Sequence, residues 1–234
     1  MCIRIFPIFI TGMNINLNAL CILYFEKRIK MQTKTHWENV YTTNPVDEVS
    51  WFQEHSKLSL DLINRTGITR HGQVIDVGGG ASTLVDDLLS DGFENLTVLD
   101  ISSAALHAAQ ERLANRAAVV NWLEADITNV TLPANHFDVW HDRAVFHFLT
   151  QPADRARYIE TVCSSVKPGG YVIAATFGLD GPLHCSGLDV VRYSTDGLHQ
   201  QFGARFQLVE HAEEVHHTPF GTEQQFVYCF LRKI

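Results

Sequence analysis

Between Gln73 and Phe177 the chain alternates short apolar runs with amphipathic stretches. Gln73–Val77 (QVIDV) is a buried-strand pattern that ends at three glycines, and Leu84–Leu89 then follows at helical spacing with Ser82 as a candidate N-cap. Leu96–Leu99 is a second strand run ending at Asp100, and Ser102 is placed to cap the Ala-rich helix AALHAAQERLANR. Val119–Leu123 and Phe137–Trp140 predict a third and a fourth strand. Ala153–Val166 is amphipathic, with Tyr158, Ile159, Val162 and Val166 on one stripe, and KPGG at 167–170 stops it before a fifth strand, Tyr171–Phe177. Strand and helix in alternation imply an α/β fold, a doubly wound parallel sheet covered by helices on both faces. Phe206–Val215 and Gln225–Leu231 differ: two strand runs around Pro219 and Gly221 predict an antiparallel hairpin closing one edge. Asp47–Arg65 reads as one or two helices carrying Trp51, Phe52, Leu58, Leu60, Leu62 and Ile63.

Residues 1–30 stand apart. Two apolar patches are separated by TGMNINLN, so no run reaches the 20 or so apolar residues that a membrane span needs. This segment is expected to be a disordered extension or an upstream start, because Met31 opens an ordinary-looking MQTKTHWENVY; a membrane-surface anchor is the other reading. Residues 31–234 are then one domain. The segment holds four basic side chains and one acid, hence +3; with −8 for the whole chain, the body carries −11. That charge disfavours a nucleic-acid substrate, which wants a basic face. The 5 cysteines show no metal or redox spacing and read as reduced thiols of a cytoplasmic protein.

Ligands of open parallel sheets bind at the carboxyl ends of the strands. Polar features fall there at three successive strands. Asp76-Val77-Gly78-Gly79-Gly80 lets backbone approach a ligand closely before a helix N-terminus. Asp100, 22 residues beyond Gly78, suits an acid that accepts from two ribose hydroxyls. Asp126-Ile127 offers a carboxylate for an exocyclic amine and an apolar side chain for a purine ring. Each alone is weak, since glycines make turns and acids precede helices; the three in order specify an adenosine-containing ligand. A dinucleotide fingerprint is incomplete, because Gly78-x-Gly80-x-x-Thr83 lacks the third glycine.

VIDVGGGAS, LTVLDIS, EADI, FDVWHDR and VKPGGYVIAATF resemble the successive motifs of class I S-adenosylmethionine-dependent methyltransferases, from about His36 to the C-terminus. The resemblance implies a Rossmann-like seven-stranded sheet, mostly parallel with an antiparallel C-terminal strand, and S-adenosyl-L-methionine as cofactor. It implies that Asp76, Gly78 and Gly80, with Gly79 between them, meet the methionine part, Asp100 and Ile101 the ribose, and Asp126 with Ile127 the adenine. His141-Asp142-Arg143, after the fourth strand, would lie beside the sulfonium. HDRA stands where many base-modifying relatives carry N/D-P-P-Y/F. The expected activity is methyl transfer to N, O or S of a small molecule. A protein-lysine methyltransferase and a non-catalytic binding subunit of the same fold are the alternatives.

His147 is the first candidate for a general base, against a half-buried structural histidine, and Asp142 is a second catalytic candidate. Arg143 can clamp a carboxylate or pair with an acid of the chain. Trp37, Tyr41, Trp51 and Phe52 are candidates for a lid over the cofactor, or for helix packing. Arg192 and Tyr193 are candidates for the substrate wall. The cluster His211, Glu214, His216 and His217 is not expected to hold a metal, because alternation sends His216 and His217 to opposite faces.

Overall fold

The computed structural model describes residues 33–234, and Trp37–Ile234 form one compact unit. The expectations for residues 1–30, with Cys2 and Cys21, lie outside the described residues. After a helix whose described residues are 33–43 (α1) come α2 (Lys57–Arg65), β1 (Gln73–Val77), α3 (Leu84–Ser90), β2 (Asn95–Asp100), α4 (Ser103–Leu113), β3 (Val120–Glu124) and β4 (Phe137–Arg143). The chain continues through α5 (Pro152–Ser165), β5 (Val166–Phe177), the two-residue strands β6 (His184–Cys185) and β7 (Leu188–Asp189), α6 (Thr195–Phe202), β8 (Phe206–His217) and β9 (Glu223–Lys233). Seven strands form one sheet in the order β3-β2-β1-β4-β5-β9-β8. The first five pair in parallel, and β9 runs antiparallel to both β5 and β8. This is the doubly wound sheet with a terminal hairpin that the alternation predicts.

Strand alternation divides the core in two. Val74, Val98, Val139 and Ile173 face Leu62, Ile63, Leu84, Leu88 and Leu106 of α2, α3 and α4. Ile75, Val77, Trp140 and Val172 face Tyr158, Ile159 and Val162 of α5 and Leu198 and Phe202 of α6. Both faces are covered, which is why these strands read as continuous apolar runs. Ser102 caps α4 as expected, accepting from Ala105 N. Ser82 stands one residue early: Thr83 takes the N-cap position of α3, and Ser82 Oγ accepts from Leu84 N.

Three boundaries differ from the sequence reading. The fourth strand extends through His141, Asp142 and Arg143, so these residues belong to β4 itself rather than to the segment after it. Helix begins only at Lys57, because residues 45–55 are pinned by distant groups: Ser50 O accepts from His216 Nε2 and Asp87 Oδ2 from Ser56 N. The fifth strand begins at Val166, and KPGG lies inside an irregular stretch where Phe137 pairs with Val166 and Val139 with Tyr171.

Candidate functional site

The glycine turn after β1 brings two carboxylates together. Gly78 N and Gly79 N both donate to Leu99 O, tying the turn to the end of β2. Gly78 has φ +70°, and a Cβ there would come within 1.9 Å of Val145 Cγ2; Gly80 has φ +29°, and its Cβ would meet Asp100 Oδ2 at 2.6 Å. Larger residues are excluded on both counts. Asp76 and Asp100 are both buried. Asp100 Oδ1 accepts from Ser102 N. Burial, reinforced by the charges of Asp76 and Glu38, pushes the Asp100 carboxyl up to about 7 despite the N–H of Ser102. Asp76 Oδ1 meets His141 Nδ1 at 2.7 Å. Asp76 Oδ2 has no hydrogen-bond partner among the described residues and would lie 2.4 Å from a Cβ on Gly79. A buried carboxylate oxygen without a donor is costly, by about 1–3 kcal/mol or more for a charged group, so this atom marks a place for a donor from outside the chain.

β4 distributes its polar end to both faces of the sheet. His141 and Arg143 point to the α2 face, where His141 Nε2 hydrogen-bonds Ser59 Oγ at 2.9 Å. Arg143 reaches Glu214 Oε2 at 3.3 Å, donates from Nε to Tyr228 OH, and lies 4.2 Å from the centroid of the Phe226 ring. The acid that Arg143 pairs with is therefore Glu214 of β8, not its neighbour. Asp142 points the other way. Its oxygens accept from Val145 N, Phe146 N and Tyr158 OH, and burial pushes its carboxyl up to about 6 against those donors. It holds the turn after β4 and does not face the glycine turn.

Residues 37–53 cover the opening. Trp37 and Tyr41 each meet Trp51 edge-on and lie tilted to one another, and Trp37 packs 5.1 Å from Phe148 between centroids. Glu38 fastens α1 to the N-terminus of α4: its carboxylate accepts from Ser103 N at 2.8 Å, from Ala104 N at 3.1 Å, and from the Ser102 and Ser103 hydroxyls. Burial works to raise the Glu38 carboxyl, but these donors outweigh it and hold it below the ordinary value. A narrow cleft of about 50 Å³ remains, lined by Tyr41, Trp51, Phe52, Asp76, Gly78, Gly79, His141 and Arg143, among others. Pockets for drug-sized ligands run to roughly 300 Å³ or more, so this cleft is narrow by comparison.

The other expected residues fall in the core, on the surface and just beyond β3. His147 is wholly buried, Phe177 N donates to its Nδ1, and Nε2 has no partner among the described residues. Burial and the Arg143 charge press its pKa down to about 3, which keeps it neutral. Tyr193 is buried in the core against Phe146. Arg192 is spent on the carbonyls of Leu179 and Gly181. Asp126 lies just beyond β3, with Oδ1 accepting from Thr128 N and Oγ1, while Ile127 is buried beside Val77 and Leu99. His216 points inward to Ser50 O and His217 outward toward Glu223. No group of three or more His, Cys, Asp or Glu among the described residues is arranged to hold a metal ion. Glu38, Ser59 and Tyr228 were not singled out by the sequence, and Glu214 only as part of a histidine cluster; each owes its place to a partner far along the chain.

Residues 74–170 match a family model described as a methyltransferase domain. The chain is 27% identical over 158 residues to the EEF1A lysine methyltransferase 2 of Danio rerio, covering 62% of this chain and 68% of that protein. It is 26% identical over 136 residues to the ubiquinone/menaquinone biosynthesis C-methyltransferase UbiE of Francisella philomiragia, 56% of this chain and only 53% of that one. Among solved structures, the 1,6-didemethyltoxoflavin-N1-methyltransferase of Burkholderia thailandensis, with bound 1,6-didemethyltoxoflavin and S-adenosylhomocysteine, superposes with a TM-score of 0.64 at 17% identity. That match covers 96% of this chain and 93% of the other.

Proposed function

We propose that this chain, which belongs to the class I S-adenosylmethionine-dependent methyltransferases, transfers the methyl group to a nitrogen, oxygen or sulfur atom of a small-molecule acceptor. The cofactor supplies a carbon already activated by positively charged sulfur. The protein's part is to hold it in line with the acceptor, and such positioning is worth up to about 7–11 kcal/mol in favourable cases.

In this reading Asp76, Gly78, Gly79 and Gly80 take the methionine end, Asp100 and Ile101 the ribose, and Asp126 with Ile127 the adenine. The observation that carries it is the unpartnered Asp76 Oδ2 beside the glycine turn, with Asp100 at the end of the adjacent strand. An ammonium group satisfies the first, and ribose hydroxyls satisfy the second. Tyr41, Trp51 and Phe52 close over the cleft and exclude water, while Arg143, held by Glu214, sets the polarity of its wall. No proton-accepting role falls to His147, because a histidine neutral down to about pH 3 and sealed in the core has little basicity to offer.

Small acceptors are supported by the near full-length likeness to a structure that holds one. Protein lysine is the second reading, and the Danio rerio relative favours it. Incubation with methyl-labelled cofactor and separate pools of metabolites and proteins tests the choice. Label in the metabolite fraction is expected; label confined to protein would select the second reading.

A further inference from the structure

We infer that His141 is a positioning residue that orients Asp76 for the ammonium group of the cofactor, and that Ser59 locks it in that task. The inference rests on the reading that Asp76 meets the methionine end. β1 and β4 pair in parallel with Asp76 opposite His141, and both side chains point to the α2 face. His141 Nδ1–H donates to Asp76 Oδ1 at 2.7 Å, and the two side chains are only 3% and 6% exposed. On the far side of the ring, Ser59 Oγ lies 2.9 Å from Nε2. Ser59 comes from α2 and is itself buried. The imidazole is therefore held at both nitrogens and cannot turn.

The consequence falls on the carboxylate. A lone aspartate at this depth could rotate about its Cα–Cβ and Cβ–Cγ bonds and turn both oxygens toward any donor. With Oδ1 anchored, Oδ2 is left at the glycine turn as an acceptor without a donor among the described residues. A charge-assisted bond from imidazole also offsets part of the burial cost of an ionised group. Arranging the acceptor before the ligand arrives spares the ordering that binding would otherwise require.

Calorimetry with two nucleosides separates positioning from mere support of the fold. S-Adenosylhomocysteine carries the amino-acid end; 5′-methylthioadenosine lacks it. His141→Leu is expected to weaken S-adenosylhomocysteine about tenfold, as loss of one charge-assisted bond implies, and to leave methylthioadenosine within about twofold. His141→Asn, whose amide can donate to Asp76 in place of Nδ1, is expected to restore most of that loss. Ser59→Ala, a milder change, weakens the first ligand alone, which gives a result even if the leucine variant fails to fold. Equal weakening of both ligands, or none of either, overturns the assignment. Asp76→Asn separates the two levels. If it abolishes the preference for S-adenosylhomocysteine while the His141 variants do not, only the positioning role fails. If it too leaves the preference intact, the underlying reading of Asp76 fails.

Discussion

Gly80 stands so close to Asp100 that a methyl group on its Cα would press to 2.6 Å from the carboxylate Oδ2 and 3.0 Å from Ala105 Cβ. Turn and acid thus fit as a unit: the missing side chain of Gly80 leaves room for the carboxylate. Gly80→Ala is expected to destabilise the fold by about 1–3 kcal/mol, from the positive φ and the overpacking together. It should weaken S-adenosylhomocysteine at least tenfold in calorimetry. A variant with parental affinity would show that the ligand does not use this turn.

On the proposed ribose role of Asp100, cofactor affinity is expected to depend on pH. Its carboxyl sits at about 7 in the folded protein, well above its ordinary value, so it is mostly protonated at pH 6 and mostly ionised at pH 8. Only the ionised form accepts from two hydroxyls. Affinity for S-adenosylhomocysteine should rise about tenfold between those values and release a proton on binding at the lower one. Asp100→Asn should flatten the profile.

The same raised values act on stability with the opposite sense to a salt-bridged acid. Asp100 and Asp142, at about 7 and about 6, bind protons more tightly in the folded than in the unfolded chain. Their contribution therefore declines as pH climbs from about 4 to 7. Glu38, held below its ordinary value, works the other way: its contribution is present above the ordinary carboxylate range and is lost as pH falls through its folded value. Glu38→Ala should cost about 1 kcal/mol, as removal of a helix cap does, and should speed amide exchange across residues 37–43. Unchanged exchange there would mean that the carboxylate does not fasten α1.

Asp142 and His147 should behave as structural residues. Asp142→Ala leaves Val145 N, Phe146 N and Tyr158 OH without their acceptor, at an expected loss of about 3 kcal/mol or more. His147→Gln, where it folds, should leave the pH dependence of kcat/KM in place. A fall of roughly 100-fold or more in kcat with intact folding would restore His147 as a base.

The fold was legible because its strands are buried on both faces, so that QVIDV, NLTVL and YVIAATF stand out as apolar runs ended by acids or glycine. The candidate acids were legible for the same reason, each sitting where a run stops. β4 was read short at Trp140 because His141, Asp142 and Arg143 look like loop residues. Their polar groups are satisfied instead by Asp76, Tyr158 and Glu214, partners that no local pattern announces. Glu38 and Ser59 stayed hidden likewise, since their partners lie 65 and 82 residues away at Ser103 and His141. Tyr193 was read from its position after β5, where its packing against Phe146 had no local signal.

The central claim is that acids on neighbouring strands hold one S-adenosyl ligand. Titration calorimetry of the parent and Asp100→Ala with S-adenosylhomocysteine, and of the parent with NAD, tests it most directly. The account predicts a single site for S-adenosylhomocysteine, a loss of tenfold or more in the variant, and no heat from NAD. Binding of NAD in its place, or a variant that binds S-adenosylhomocysteine as tightly as the parent, would contradict it.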